Sequence, residues 1–151
     1  MPNPTKVAHS KLIDWREAEA LARTLAEKIK ASSRKFEGII AVSKGGLIPA
    51  YFLSRDLGVN KIEVVCANHY NNNRERLSQP KMILSPKLSP EHDYRNWLIV
   101  EDVVETGETI QLLKKYFPHT SVAALIRKTD FPVQFFARQE RDWVRFAWEL
   151  N

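Results

Sequence analysis

The sequence of 151 residues has the length of a single domain with a sizeable core. With 44% hydrophobic and 27% charged residues it is typical of a globular protein, and no apolar stretch is long enough to span a bilayer. A single cysteine, Cys66, excludes an internal disulfide framework. The formal charge of +5 predicts an anionic partner: a nucleic acid, a membrane surface or a small polyanion. No single basic block dominates, so the small polyanion has at least equal weight.

The first predicted element is an amphipathic helix. Asp14 is the expected N-cap, with Glu17 three residues later, and the helix should end near residues 31–33. Apolar residues recur at helical spacing and predict a face that packs on a sheet; they are Trp15, Ala18, Leu21, Ala22, Leu25 and Ile29.

A strand, a glycine-containing loop and a second helix follow. The strand is Gly38–Val42, and the helix is Leu47–Leu57, closed by Gly58. The loop between them consists of Ser43, Lys44, Gly45 and Gly46. Two glycines let the backbone approach an anion and Lys44 supplies positive charge, although an ordinary tight turn remains the alternative.

The next segments differ sharply in polarity. Lys61–Ala67 is apolar enough for a third strand, in which we expect Cys66 to be a buried thiol. Residues Asn68–Asn96 are rich in polar side chains, and a segment this long within a compact domain is usually functional or mobile. A solvated hairpin without a role is the alternative.

The most informative stretch lies in the middle of the chain. An apolar run, Trp97–Val100, predicts a strand buried on both faces, and two carboxylates, Glu101 and Asp102, follow it. Next come a loop and an amphipathic helix over Ile110–Phe117; the loop is Glu105, Thr106, Gly107, Glu108 and Thr109. Backbone N–H groups at a helix start, threonine hydroxyls and a glycine are typical of a phosphate site. The alternative is an ordinary strand–turn–helix with a solvated acidic loop.

The last part of the chain offers a strand and an aromatic segment. Ser121–Ile126 predicts a strand, and Lys128 follows it as either a site residue or a surface lysine. Trp143 and Val144 form either an aromatic contact surface or core packing. The four histidines show no metal-ligand spacing. The alternation of strands and helices predicts one α/β domain over residues 1–151, with helices flanking a mostly parallel sheet and ligand loops at the carboxyl ends of its strands.

The strand, acidic pair and Thr-Gly loop resemble the signature of the type I phosphoribosyltransferases. The resemblance implies a site for phosphoribosyl pyrophosphate (PRPP), in which Glu101 and Asp102 meet the ribose hydroxyls and Asp102 also helps to hold Mg²⁺. It implies that Glu105 is the catalytic residue near the reacting centre and that Thr106, Gly107, Glu108 and Thr109 wrap the 5′-phosphate. The family usually has Asp at the position of Glu105 and a small residue at that of Glu108.

The same resemblance extends to the rest of the chain. It implies that Ser43, Lys44, Gly45 and Gly46 bind pyrophosphate, with a cis peptide bond between Ser43 and Lys44. Asn68–Asn96 would be a flexible flap over the site, where Tyr70 contacts the leaving group and basic side chains help to hold pyrophosphate; they are Arg74, Arg76, Lys81 and Lys87.

At the base end, the chain is most similar to the bacterial xanthine–guanine phosphoribosyltransferases. Lys128 would meet the purine 6-oxygen, and Trp143 with Val144 would stack on the base. The implied activity is Mg²⁺-dependent transfer of the phosphoribosyl group from PRPP to a 6-oxopurine. The alternatives are transfer to another base and a non-catalytic regulator that senses PRPP or nucleotides.

Location and partners are expectations of the same kind. Residues 1–10 lack the apolar core of a signal peptide, so we expect a cytoplasmic protein; the resemblance leaves a peripheral position at the inner membrane open. It also implies a homo-oligomer, a dimer or a tetramer. No residues remain for a helix-turn-helix, so no nucleic-acid partner is expected.

Overall fold

The computed structural model describes residues 10–83, 88–89 and 91–150. Their strands are β1 Lys11–Ile13, β2 Gly38–Ser43, β3 Lys61–Tyr70, β4 Arg76–Ile83, β5 Trp97–Val104, β6 Ser121–Arg127, β7 Phe135–Gln139 and β8 Val144–Phe146. Their α-helices are α1 Trp15–Ala31, α2 Leu47–Leu57 and α3 Glu108–Tyr116, and a short 3₁₀ helix covers Ala147–Glu149.

A six-stranded sheet organises the chain, with the strand order β4-β3-β2-β5-β6-β7. All of its pairings are parallel except that of β3 with β4, which confirms the predicted α/β fold. The chain moves outward from β2 to one edge of the sheet and from β5 to the other. The crevice beside β2 and β5 is therefore a topological switch point, where ligands of such sheets usually bind.

Helices cover both faces of the sheet because its central strands are apolar on both sides. In β2, Ile39 and Ala41 face the core under α1 and α2, whereas Ile40 and Val42 face the core under α3. Successive strand side chains point to opposite faces, so a continuous apolar run can supply two cores. No helix among the described residues is long and apolar enough to cross a membrane.

The predicted helix boundaries are largely confirmed. Asp14 caps α1 by accepting the N–H of Glu17 at 2.8 Å, as expected, but Trp15 is 52% exposed and lies outside the buried face. Helix α2 has the predicted bounds and ends at Gly58. Helix α3 begins at Glu108, two residues before the predicted start.

The segment predicted as a long polar loop is partly ordered into the sheet. Strand β3 continues to Tyr70 and forms a hairpin with β4. Within the same segment, Leu88 and Tyr94 are buried against the core beneath α3. Lys87, one of the predicted pyrophosphate contacts, lies outside the described residues.

Three further expectations need correction. Cys66 is half-buried rather than buried, although β3 is paired on both sides there, with Ser43 of β2 and Ile83 of β4. Glu101 and Asp102 lie inside β5 rather than after it. Strands β1, β7 and β8 had not been predicted; β1 and β8 form a separate parallel pair that positions the segment after Trp143.

Candidate active site

The loop after β2 meets the end of β5 at the carboxyl edge of the sheet. A Cβ atom on Gly45 would lie 2.4 Å from Oδ2 of Asp102, so only glycine permits this approach. The peptide bond between Ser43 and Lys44 is cis, as predicted. Lys44 itself is exposed, and Gly46 precedes the first residue of α2. The structure thus places the first predicted anion loop against the carboxylate of Asp102, whereas neither cavity beside the end of β5 is lined by residues 43–46.

The loop after β5 is shaped by Gly107. Its φ of 80° is left-handed, and a Cβ atom there would lie 2.2 Å from the ring of Phe131. Helix α3 starts at the next residue, and the Thr106 hydroxyl accepts the N–H of Glu108 at 3.4 Å. The loop therefore presents the N-terminal end of α3, where the helix dipole favours an anion.

Two cavities flank the end of β5. The first, here the loop cavity, has a volume of about 190 Å³ and is lined by His69, Glu101, Val103, Val104, Glu105, Thr106, Gly107, Glu108, Thr109 and Ile110. The second, here the aromatic cavity, has a volume of about 140 Å³ and is lined by Asp102, Val103, Glu105, Lys128, Trp143, Val144 and Glu149.

The two strand carboxylates face different cavities. Glu101 lines the loop cavity and Asp102 lines the aromatic cavity, because neighbouring residues of a strand point to opposite sides. Their predicted joint contact with one ribose stays a prediction. Glu105, at the end of the strand, lines both cavities and is the ionisable residue that they share.

Burial perturbs both carboxylates. It raises the pKa of Glu101 well above its ordinary value, and the adjacent charge of Asp102 raises it further. Burial raises the pKa of Asp102 to about 6, and the charge of Glu149 adds to this, although the Val103 N–H donates to the carboxylate at 2.7 Å. Carboxylates shifted in this way occur often at functional sites.

Lys128 is one of the residues that line the aromatic cavity. Its side chain is 10% exposed, so it is not a surface lysine. The ammonium lies 4.6 Å from the centroid of the Trp143 ring and 3.5 Å from Oε1 of Glu105. Its backbone N–H donates to the carbonyl of Val104 at 2.9 Å, which fixes the residue beside the end of β5. Lys128, Trp143 and Glu105 therefore form one charged and aromatic cluster.

The β3–β4 hairpin, residues 61–83, contacts the loop after β5 in two places. Nε2 of His69 lies 3.0 Å from the Thr109 hydroxyl, and Arg76 pairs with Glu108 at 3.0 Å. The Glu108 carboxylate is thus engaged by the hairpin. Sequence reasoning assigned no role to His69, because neither metal spacing nor a motif marks it; only the long-range contact does.

The carboxylate oxygens of the site are suitable ligands for Mg²⁺ that is also bound to the phosphates of a substrate. Among the described residues there is no group of three or more acidic, histidine or cysteine side chains arranged to hold a metal. Mg²⁺ commonly uses only one or two carboxylates together with substrate phosphates and water. Asp102 and Glu105, both on the aromatic cavity, are carboxylates of this kind.

Comparison with known proteins gives a consistent result. A family model described as the phosphoribosyl transferase domain matches residues 9–149. The xanthine-guanine phosphoribosyltransferase of Vibrio atlanticus is 30% identical over 144 residues, covering 93% of this chain and 89% of the relative. The crystal structure of a purine phosphoribosyltransferase from Pyrococcus horikoshii has a TM-score of 0.73 at 26% identity, covering 94% of this chain and 95% of that one. A Helicobacter pylori xanthine-guanine-hypoxanthine phosphoribosyltransferase shares the fold, with a TM-score of 0.76 at 19% identity over 94% and 95% of the two chains.

Proposed function

From its membership of the phosphoribosyl transferase domain family, whose enzymes transfer a pentosyl group, we propose a specific reaction for this chain. It transfers the phosphoribosyl group of PRPP to a 6-oxopurine. Guanine, xanthine and hypoxanthine are the candidate acceptors. The products would be the nucleoside 5′-monophosphate and pyrophosphate.

The position of Glu105 carries this proposal. Its side chain borders both the loop cavity, which has the donors for a 5′-phosphate, and the aromatic cavity, which has Trp143 and Lys128 for a base. A ribose that joins a phosphate in the first cavity to a base in the second would pass this carboxylate. Adjacent sites for a sugar phosphate and a base would hold the two reactants in position, which makes their reaction effectively unimolecular.

In the proposed reaction, N9 of the purine attacks C1′ of PRPP. The bond from C1′ to the pyrophosphate oxygen breaks, and pyrophosphate leaves with the electron pair. Glu105 accepts the proton that the purine releases, or acts as a negative partner for the positive charge that develops on the sugar. Lys128 would donate to the 6-oxygen and Trp143 would support the ring.

The remaining residues orient the substrates. Thr106 and Thr109 would donate hydroxyl hydrogen bonds to the 5′-phosphate, and the Ser43–Gly46 loop would present N–H groups to pyrophosphate. Mg²⁺, when bound to Asp102 and to substrate oxygens, would neutralise charge on the leaving pyrophosphate. The hairpin would limit the access of water to the sugar cation.

The direct test is pyrophosphate release from PRPP with Mg²⁺ and a panel of bases. Release that depends on guanine, xanthine or hypoxanthine, and not on adenine or a pyrimidine, is the expected outcome. Release with another base would favour the alternative acceptor. Binding of PRPP without release of pyrophosphate with any base would favour a sensor, the alternative suggested by Glu105 and Glu108, which depart from the family's usual residues.

We also propose that the protein is a homo-oligomer. Large apolar side chains of α2 and β3 are partly exposed on one side of the molecule: Leu47 by 40%, Tyr51 by 60% and Val64 by 40%. A second copy of the chain would cover such a face. Light scattering at several protein concentrations tests this proposal, and a monomer at all of them would refute it.

A further inference from the structure

His69 lies in the loop cavity although it belongs to another element of the fold. Its Nε2 atom is 3.0 Å from the hydroxyl of Thr109, and its side chain lines the cavity with the residues from Thr106 to Thr109. We propose that His69 is a binding residue for the 5′-phosphate of the substrate, brought to the loop by the β3–β4 hairpin. This inference rests on the proposed function, which places the phosphate in this loop.

The local backbone explains how His69 reaches the loop. The pairing of β3 with β4 shifts register between Asn68 and Tyr70, which is an irregularity of the bulge type. Bulges bend a strand and re-aim a side chain, and they occur often beside active sites. His69 lies at this shift and two positions after Ala67, on the side of β3 where Val65 packs beneath α3, so its ring contacts Thr109 of α3.

The negative charges around the loop cavity explain why a phosphate there would need a positively charged donor such as His69. The loop cavity is lined by three carboxylates, those of Glu101, Glu105 and Glu108. Among the described residues lining it, His69 is the one side chain that can carry positive charge. A phosphate dianion placed beside three carboxylates is destabilised unless a cation or strong donor offsets them. A protonated imidazole can supply both a charge and an N–H donor.

Arg76 supports this role from the other strand of the hairpin. Its guanidinium pairs with the Glu108 carboxylate at 3.0 Å, which offsets part of the negative charge beside the loop although both side chains are largely exposed. In the register of the hairpin, Arg76 lies opposite Tyr70, the residue after His69. The ion pair and the His69–Thr109 contact therefore join neighbouring residues of the hairpin to the start of α3.

The test compares ligands with and without a 5′-phosphate. The affinities of the full chain for guanosine 5′-monophosphate, guanosine and pyrophosphate are measured by calorimetry at one pH. His69→Ala should weaken binding of the monophosphate by roughly tenfold or more, the effect of one lost hydrogen bond to a charged group, and leave guanosine and pyrophosphate unchanged. His69→Gln retains a hydrogen-bond donor without the charge, so its affinity for the monophosphate should lie between those of the unmodified protein and of His69→Ala. His119→Ala removes an exposed histidine before β6 and serves as the matched control.

The outcomes separate the possible explanations. Equal losses for all three ligands in His69→Ala would mean that His69 only braces the hairpin, and this would overturn the assignment. Unchanged affinity for the monophosphate in a folded variant would overturn it while leaving the proposed function intact. If the unmodified protein bound neither the monophosphate nor PRPP, the proposed function would fall and the role of His69 with it.

Discussion

The Lys128 ammonium lies over the ring of Trp143, 4.6 Å from its centroid, although the two residues belong to segments on either side of β7. The same ammonium is 3.5 Å from Glu105. A cation held over an indole face is stabilised by the ring quadrupole, and more so when it is removed from water. A base bound in the aromatic cavity as proposed would meet a preformed unit of cation, ring and carboxylate.

Trp143→Ala tests the aromatic half of this unit. We expect the Michaelis constant for every accepted purine to rise by about 5- to 150-fold, which corresponds to the loss of a base–aromatic contact of about 1–3 kcal/mol. The constant for PRPP should change far less. Steady-state kinetics with each substrate varied in turn make the comparison. Trp15→Ala, which removes an exposed tryptophan of α1, is the control. Unchanged purine kinetics would mean that Trp143 only packs against its neighbours.

Lys128→Met tests discrimination rather than affinity. Adenine presents an amino donor where guanine presents a carbonyl acceptor, so loss of the ammonium should reduce the preference for 6-oxopurines over adenine. The ratio of kcat/KM for guanine to that for adenine is the measured quantity. Lys115→Met, on exposed helix surface, is the matched control. A preserved ratio would assign Lys128 to the support of Trp143 and Glu105 alone.

Replacement of both Thr106 and Thr109 by valine tests the phosphate loop. Two hydroxyl donors to a charged group are removed with little change in shape, so PRPP affinity should fall by about 2–4 kcal/mol in sum. Binding is measured by calorimetry with the base absent. Thr24→Val, on the exposed side of α1, controls for the substitution itself. A folded double variant that binds PRPP normally would disprove the assignment of the loop.

The hairpin should close more firmly when the site is filled. Its contacts with the loop after β5 are few, the His69–Thr109 contact and the exposed Arg76–Glu108 pair, and an exposed ion pair contributes little. We expect amide exchange in residues 71–83 to slow on addition of PRPP and a base analogue. Helix α1 should not change and is the internal reference. Strong protection of the hairpin in both states would argue against a mobile cover.

The buried carboxylate predicts an unusual pH dependence of stability. The pKa of Asp102 is raised from 3.8 in the unfolded chain to about 6 in the folded protein. The folded state therefore binds more protons between these values, and the contribution of Asp102 to stability is lost as pH rises from about 4 to about 6. Asp102→Asn should remove this loss, which amounts to up to about 3 kcal/mol above pH 6.

Urea unfolding at pH 4 and pH 7, with a chelator present, measures the effect. The variant should gain stability relative to the unmodified protein at pH 7 and little or nothing at pH 4. Asp130→Asn changes a carboxylate that is 83% exposed and controls for the net charge. A gain of equal size at both pH values would contradict the link to the ionisation of Asp102.

Local patterns account for most of what was predicted correctly. Gly58 marked the end of α2 and Asp14 the start of α1, because a helix end depends on residues within one or two turns. The apolar run predicts that β5 ends at Val100, because the charged side chains of Glu101 and Asp102 are typical of a loop; in the structure β5 ends at Val104. Their neighbours in the sheet keep them in the strand, and β6 continues to pair with β5 as far as Val104.

Sequence alone determined the alternation of the central strands with helices, the two glycine loops, the family resemblance and the residue types proposed for anion and base binding. Only the tertiary structure decided that Glu101 and Asp102 face different cavities, that Glu105 borders both, and that His69 lies against Thr109. Periodicity and capping are short-range effects that neighbouring residues encode. Which side chains share a cavity depends instead on the packing of strands that are distant along the chain, and no local pattern records that packing.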